Sequence, residues 1–183
     1  TAVNFLEMWH EDTFDRQTIE RELGWAANLG FNALRVNLHY LVWKHDRDDL
    51  IERLDWLMAT ASRLGHATVP CFFDDCGFGG LEPIYGPQPD PIPEVHNSRA
   101  VASPGRAALL AGADWEGYED YARTIIRTFA SDERVLFWDL YNEPGNRMVF
   151  GPGGSETYTP DFSDRSLALM VDSFTWARSE DPV

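Results

Sequence analysis

The chain has 183 residues, of which 44% are hydrophobic and 25% are charged, a composition typical of folded globular proteins. It excludes a disordered chain, a collagen and a dedicated coiled coil, and no apolar run is long enough to suggest a membrane span. Fifteen basic and 30 acidic residues give a net charge of −15, so we expect no nucleic-acid partner and no membrane-surface role. The chain is also shorter than the roughly 250 residues of a complete (β/α)8 barrel.

Hydrophobic periodicity predicts strands and helices in strict alternation along the chain. The first half is predicted to contain three strands, Val3 to Trp9, Asn32 to His39 and Ala67 to Phe73. Two helices lie between them, the first from Asp15 to Leu29 and the second with Asp46 as N-cap and Gly65 after its end. A segment rich in glycine and proline follows, from Gly77 to about Ala113. Loops of this length are usually functional or disordered.

The second half continues the alternation with a helix from Trp115 to Phe129, a strand from Val135 to Tyr141 and a helix from Ser163 to Arg178. A Gly-rich loop, GPGGS at 151–155, precedes the last helix, whose predicted inward face comprises Leu167, Met170, Val171 and Phe174. Four βα units predict a parallel sheet with right-handed crossovers in one domain, residues 1–183. An open doubly wound sheet is the competing architecture, but no G-x-G-x-x-G follows the first strand and no P-loop is present.

In βα architectures, reactive groups gather where the strands end and the following loops converge. The predicted strand ends supply a rim rich in carboxylates, histidine and arginine, which packing alone does not explain: Glu7, Trp9, His10, Arg35, Asn37, His39, Asp74, Asp75, Asp139, Asn142 and Glu143.

The sharpest motif on this rim is FWDLYNEP at 137–144, in which an apolar strand leads directly into an Asn-Glu-Pro sequence. Pro144 cannot continue the strand ladder, so Glu143 is expected at the mouth of the sheet, flanked by Trp138 and Tyr141. A carboxyl that aromatic rings partly desolvate keeps its proton to higher pH and can act as a general acid. A polar turn that ends a strand is the alternative, and the βα context favours a functional role.

The WDLYNEP sequence resembles the acid/base signature of clan A of the glycoside hydrolases, the (β/α)8 barrels that include the family 5 cellulases, mannanases and xylanases. GFNALRV, with Asn32 and Arg35 three residues apart, is similar to the second-strand pattern of that family. LEMW at 6–9, FDDC at 73–76 and VHNS at 95–98 resemble a bacterial branch of cellulase-like or xylanase-like proteins. The resemblance covers the chain from Val3 to Val183 but only strands one to four and helices one to four of the barrel. It therefore implies an α/β fold that is half of a TIM barrel.

The resemblance implies roles for three residues of the rim. Glu143 matches the general acid/base of the family, and Asn142 matches the residue that hydrogen-bonds the sugar 2-hydroxyl as the transition state forms. Arg35 matches the arginine that orients the nucleophile and keeps it ionised. A structural ion pair of Arg35 with Glu7 or Asp139 is the alternative, and both roles can hold together.

The family's nucleophile, a glutamate at the end of the seventh strand, has no counterpart because the chain ends where a fifth strand is expected. A retaining mechanism needs this second carboxylate about 5–5.5 Å from the acid. We therefore expect a half-site, a missing C-terminal half-barrel as partner, and little or no hydrolysis by the chain alone. Open sheet edges also predict a marginally stable, aggregation-prone chain. The implied activity is that of a retaining β-glycoside hydrolase on β-linked poly- or oligosaccharide, and the sequence does not fix the sugar.

Further side chains are candidates for binding the carbohydrate substrate. His39 follows Arg35 by two residues on the same face of the strand and could contact sugar hydroxyls. Asp74 and Asp75 could bind hydroxyls at a distal subsite, or could only form the turn before Gly77. The long loop contributes His96 and Asn97, and the aromatic candidates for stacking on sugar rings are Trp9, Trp43 and Phe78, each of which could equally be core.

Two other functions remain open at this level. A metal-dependent barrel could use His10, His39, Asp74, Asp75 and His96, but no H-x-H or H-E-x-x-H spacing exists, and we expect no metal and no cofactor. The C-x4-C spacing of Cys71 and Cys76 is a poor zinc signature and predicts two free thiols. A non-catalytic carbohydrate-binding half-barrel is the other alternative. Polysaccharide breakdown slightly favours a secreted or periplasmic location over the cytoplasm, although no leader is visible.

Overall fold

The computed structural model describes residues 4–146, 148–150 and 160–182. Val3, the predicted start of the first strand, and the Gly-rich sequence at 151–155 lie outside the described residues. The described part contains helices α1 (Arg16–Asn28), α2 (Tyr40–Arg63), α3 (Arg106–Ala111), α4 (Trp115–Phe129) and α5 (Pro160–Glu180), and strands β1 (Ala33–Asn37), β2 (Ala67–Asp74) and β3 (Asp139–Asn142).

The three strands form one parallel sheet in the order β1-β2-β3, with helices between successive strands. Ala33 pairs with Ala67 at one end of the β1–β2 ladder, and Asp74 pairs with Asn142 at the end of the β2–β3 ladder. Every residue of β2 after Ala67 is buried, as is usual for a parallel strand covered on both faces. The chain therefore has the predicted α/β architecture of alternating parallel strands and helices.

The main hydrophobic core lies between the sheet and helices α2 and α4. Helix α4 has the predicted bounds and packs six side chains into this core: Tyr118, Tyr121, Ala122, Ile125, Ile126 and Phe129. In β1, Val36 belongs to this core, whereas Arg35 and Asn37 alternate onto the other face of the strand. The helix-covered face is therefore apolar, and polar side chains collect on the opposite face.

The predicted first strand is wrong for its described part, because Glu7–Trp9 form a short 3-10 helix. The Asn4 Oδ1 atom accepts the backbone N–H groups of Leu6 and Glu7, and the Asn4 N–H donates to Glu7 Oε2. This reciprocal pairing is a capping box, which starts a helical turn rather than a strand. The Glu7 carboxylate also forms a largely buried ion pair with Arg99, at 2.7 Å, rather than with Arg35.

Helix α2 begins earlier than predicted. Its N-cap is His39 rather than Asp46, and Asp46 lies at a kink inside the helix, with φ −136° and ψ 55°. The short polar side chain of an aspartate competes for backbone hydrogen bonds and is compatible with a helix cap or with a kink. The sequence signal at Asp46 was therefore interpreted as a cap, whereas the residue forms a kink. Beyond the kink, the apolar side chains Leu50, Leu54, Leu57 and Met58 pack into the core.

The predicted inward face of α5 is also wrong. Leu167, Val171 and Phe174 are each 53% exposed, and Met170 is only partly buried. The helix instead buries a face that includes two serines, because this face contacts α3, α4 and β3: Phe162, Ser166, Leu169, Ser173, Trp176 and Ala177. Phe174 of this exposed stripe lines a hollow together with Leu136 and Phe137, which precede β3 and are also more than half exposed.

Candidate active site

A cleft of about 680 Å³ opens at the carboxyl ends of the three strands. Side chains at the ends of β1, β2 and β3 line it, together with parts of the long segment at 91–100. In parallel α/β sheets this is the edge at which ligands bind. The cleft brings together seven of the eleven residues predicted to act in catalysis or substrate binding: Arg35, Asp74, Phe78, His96, Asn97, Asn142 and Glu143.

Glu143 follows the last residue of β3, where the chain leaves the sheet. Its φ angle of +47° lies in the left-handed region that residues other than glycine rarely adopt, and such strain is common at functional sites. The side chain is exposed and lines the cleft. Its Oε2 atom accepts hydrogen bonds from the Cys76 thiol, at 3.3 Å, and from Asn146 Nδ2.

The predicted aromatic flanks of Glu143 are wrong, because Tyr141 is buried in the core and Trp138 is partly buried against the core. Trp138 Nε1 donates to Asp181 at 2.9 Å, and the Tyr141 hydroxyl donates to Asp75 Oδ1 at 2.8 Å. Neither side chain lines the cleft. The immediate environment of the Glu143 carboxylate is therefore a thiol and an amide rather than aromatic rings.

A chain of hydrogen bonds fixes the orientation of the Asn142 amide. Arg35 Nη2 donates to Asn142 Oδ1 at 2.9 Å, and Asn142 Nδ2 donates to Asp74 Oδ2 at 2.9 Å. Arg35 also donates through Nε to Asp139 Oδ2 at 2.6 Å, so the predicted alternative of an ion pair with Asp139 is confirmed. Because a cation lies on one side of the amide and a carboxylate on the other, its oxygen and nitrogen cannot exchange places without losing both bonds.

Asp74 is the buried centre of this network. Its Oδ2 atom also accepts from Asn37 Nδ2 at 2.9 Å, and its Oδ1 atom accepts the Cys76 backbone N–H at 2.5 Å. Burial raises the pKa of Asp74 to about 6, although these hydrogen bonds favour the charged form. Asp74 therefore borders the cleft with its oxygens already engaged by three protein donors.

Asp75 points away from the cleft, and its predicted role in substrate binding is corrected. It is 1% exposed and accepts hydrogen bonds from the Tyr141 hydroxyl, the Gly145 N–H and the Ser166 hydroxyl at 2.5–2.8 Å. Burial raises the pKa of this carboxyl, whereas its hydrogen bonds lower it. Asp75 thus ties the end of β2 to the turn after β3 and to α5, which is a structural role.

Three other predicted substrate contacts are buried in the core. His39 is fully buried, with Nε2 bonded to the Ala102 carbonyl and Nδ1 accepting the Leu41 N–H, and burial lowers its pKa to about 3. Trp9 is fully buried and donates to the Asn37 carbonyl at 2.7 Å, and Trp43 is 4% exposed. None of the three offers a ring face or a ring nitrogen to the cleft, so their predicted sugar contacts are corrected.

The long segment after β2 contributes a wall of the cleft. His96 packs against Phe78 with ring centroids 5.5 Å apart, and Asn97 Nδ2 lies 3.1 Å from His96 Nε2. Phe78 also stacks on Phe150, at 5.9 Å. The segment thus lies at the predicted face, with both polar candidates and one aromatic candidate on the cleft.

Cys76 is a cleft residue beside Glu143 that sequence reasoning did not select. Both cysteines are free, as predicted, and both are buried, but Cys76 contacts Glu143 and lines the cleft. Its position two residues beyond the end of β2 was the available signal. Within residues 4–146, 148–150 and 160–182, no group of three or more His, Cys, Asp or Glu side chains is arranged to hold a metal ion. None of the helices described is both long and apolar enough to cross a membrane.

No protein-family model matches the chain. A curated relative, the F420-dependent glucose-6-phosphate dehydrogenase of Intrasporangium calvum, is 21% identical over 145 residues, which cover 68% of this chain and 41% of the relative. Identity at this level does not assign the chain to that enzyme's family.

Two solved structures of the glycoside hydrolase GH5_18 from Streptomyces cattleya are similar in fold. One is a single-site variant in complex with Manβ1-4GlcNAc, with a TM-score of 0.56, and the other is in complex with GlcNAc, with a TM-score of 0.57. Each is 20% identical to this chain, and each match covers 97% of this chain but only 40% and 39% of the hydrolase, respectively. The chain therefore shares its fold with about two fifths of the length of these enzymes, an extent that is consistent with half of a barrel.

Proposed function

We propose that the chain is the N-terminal half of a clan A retaining β-glycoside hydrolase, similar to family 5, with Glu143 as the general acid/base. The observation that carries the proposal is the position of Asn142 and Glu143, side by side at the end of β3 in a polar cleft, with Arg35 bonded to Asn142. The fold shared with sugar-bound glycoside hydrolases supports it.

In this mechanism Glu143 protonates the leaving oxygen and later accepts a proton from the incoming water. The exposed carboxylate can reach a substrate in the cleft, whereas the buried Asp74 and Asp75 are held by protein donors. Asn142 Nδ2 donates one N–H to Asp74, and its second N–H, which contacts the Cys76 sulfur at 3.4 Å, would exchange that weak bond for one to the sugar 2-hydroxyl. Arg35 contributes a positive charge beside the site at which a nucleophile would be ionised.

The nucleophile is proposed to come from a half-barrel outside these residues. Two exposed apolar surfaces support such a partner: Leu136 and Phe137, in the segment that leads into β3, and the α5 stripe of Leu167, Val171 and Phe174. A parallel strand beside β3, followed by a helix beside α5, would bury both surfaces and remove the open edge. The proposed substrate class is a β-linked polysaccharide or oligosaccharide.

The test is turnover by the protein that contains both halves, compared between wild type, Glu143→Gln and a matched Glu133→Gln control. Glu133 is exposed and lies next to the Val135–Thr68 bridge, at the other end of the sheet from the cleft. Manβ1-4GlcNAc and an activated aryl β-glycoside are the two substrates. We expect Glu143→Gln to lower kcat/KM for the disaccharide by about 100- to 10,000-fold. The aryl glycoside should still glycosylate the enzyme, since its leaving group needs little acid assistance.

Normal cleavage of both substrates by Glu143→Gln would overturn the assignment of Glu143. Saturable binding of Manβ1-4GlcNAc without turnover, in wild type as in the variant, would instead indicate a carbohydrate-binding half-barrel. For residues 1–183 alone we expect little or no hydrolysis, because a retaining reaction needs a second carboxylate opposite the acid.

A further inference from the structure

The Cys76 thiol lies beneath the exposed carboxylate of Glu143 and is itself only 6% exposed. Its Sγ atom is 3.3 Å from Glu143 Oε2, 3.4 Å from Asn142 Nδ2 and 3.6 Å from Asn146 Nδ2. One sulfur atom therefore contacts both residues to which the catalytic proton and the sugar 2-hydroxyl are assigned above.

The chemistry of these neighbours determines the direction of each hydrogen bond. Amide Nδ2 groups only donate, so the sulfur accepts from Asn142 and Asn146, and the S–H donates to a carboxylate. Glu143 Oε2, at 3.3 Å, is the acceptor within hydrogen-bond geometry, and the Asp74 carboxylate also lies close to the thiol. Burial, together with the nearby Asp74 carboxylate, raises the pKa of the Cys76 thiol, so it keeps its proton at neutral pH. The backbone N–H of Cys76 donates to Asp74 Oδ1 at 2.5 Å, which holds in place the backbone that carries the thiol.

We infer that Cys76 is a positioning residue, whose S–H holds the Glu143 carboxylate at the orientation from which it exchanges a proton with the glycosidic oxygen. This role rests on the proposed function. An exposed glutamate at positive φ has several accessible rotamers, and a bond to a buried, anchored donor favours one of them. Holding a reacting group near its productive geometry lowers the entropic part of the activation free energy of proton transfer. Serine retains an O–H donor at this position, whereas alanine removes it.

The contact itself can be measured by the infrared S–H stretching band of the protein that contains both halves, without any turnover. The difference between the wild-type and Cys76→Ala spectra isolates the Cys76 band, since every other thiol contributes to both. We expect the band to move to higher frequency in Glu143→Ala, because a thiol that loses a carboxylate acceptor regains a stronger S–H bond, and to move less far in Glu143→Gln. Glu133→Ala is the control and should leave it in place. A band that Glu143→Ala does not move overturns the inference.

The role in catalysis is tested in the two-substrate assay described above. We expect Cys76→Ala to lower kcat/KM for the disaccharide by about 10-fold, the order expected for one weak hydrogen bond to a charged group, with a smaller effect on the activated aryl glycoside. Cys76→Ser should recover most of the loss. Equal losses on both substrates, or no loss, would contradict positioning even if Glu143→Gln is inactive. Full activity of Glu143→Gln, or no turnover by the wild type, would refute the proposed function and, with it, the positioning role of Cys76. The S–H band would still show whether the contact between Cys76 and Glu143 exists.

Discussion

Replacing Asp74 with asparagine is expected to change how the free energy of unfolding depends on pH. Asp74 is 2% exposed, and burial raises its pKa from the ordinary value of 3.8 to about 6 in the folded chain. Between these two pH values the folded chain binds a proton that the unfolded chain has released, so the free energy of unfolding falls as the pH rises. A difference of about 2 in pKa corresponds to about 3 kcal/mol.

The measurement is urea unfolding, followed by tryptophan fluorescence, at pH values from 4 to 7.5. Asparagine does not titrate, so the unfolding free energy of the wild type minus that of Asp74→Asn should fall by about 3 kcal/mol across this range. The other carboxyl groups cancel in the difference, and Asp90→Asn, at an exposed position of the long segment, controls for the loss of one negative charge. A difference that is flat or rises with pH would mean that the three hydrogen bonds to Asp74 outweigh its desolvation, and would refute the reasoning.

Two further predictions concern the stability of the fold. Gly24→Ala in α1 should raise the free energy of unfolding by about 1 kcal/mol, because its Cβ enters open space, whereas Gly117→Ala in α4 should lower it by about 1–3 kcal/mol, because its Cβ would lie 2.2 Å from the Tyr40 hydroxyl. Urea midpoints that shift in the same direction for both variants would contradict this. Burial lowers the pKa of His39 from its ordinary value of 6.5 to about 3. The contribution of the neutral His39 ring to the free energy of unfolding is therefore complete above pH 6.5 and is lost as the pH falls towards 3. The stability advantage of wild type over His39→Asn should therefore shrink over this window in urea unfolding, and an advantage that grows on acidification would contradict the assignment.

The elements that were predicted well have signals within their own sequence. Asp15 caps α1 by accepting the Gln17 and Thr18 N–H groups, as an N-cap aspartate should, and α4 buries the face that its 3.6-residue periodicity indicates. The first strand failed because a local signal, the capping pair of Asn4 and Glu7, was overlooked in an apolar stretch. Short apolar runs are compatible with a strand or a helical turn, and hydrophobicity alone cannot separate them.

Some residues of the candidate site could likewise be predicted from the sequence, and others could not. The strand-end rule selected Arg35, Asn142 and Glu143, and the structure brings all three to one cleft, because parallel strands deliver their last residues to the same edge. The rule could not distinguish neighbours of alternating orientation: Asp74 borders the cleft, whereas Asp75 is turned towards Ser166 of α5. Successive residues of a strand point to opposite faces, so a shift of one position separates a cleft side chain from a structural one.

By itself, the sequence determined the alternation of strands and helices, the parallel sheet and the motif that marks the cleft, because periodicity, caps and turn residues act over a few neighbours in the chain. Only the tertiary structure decided which face of α5 is buried and that the Trp138 and Tyr141 rings face away from Glu143. It also placed the Cys76 thiol 3.3 Å from the Glu143 carboxylate. Cys76 and Glu143 are 67 residues apart, and no local pattern encodes a contact over that separation. Such contacts arise when the sheet register and the packing of the helices bring distant strand ends together.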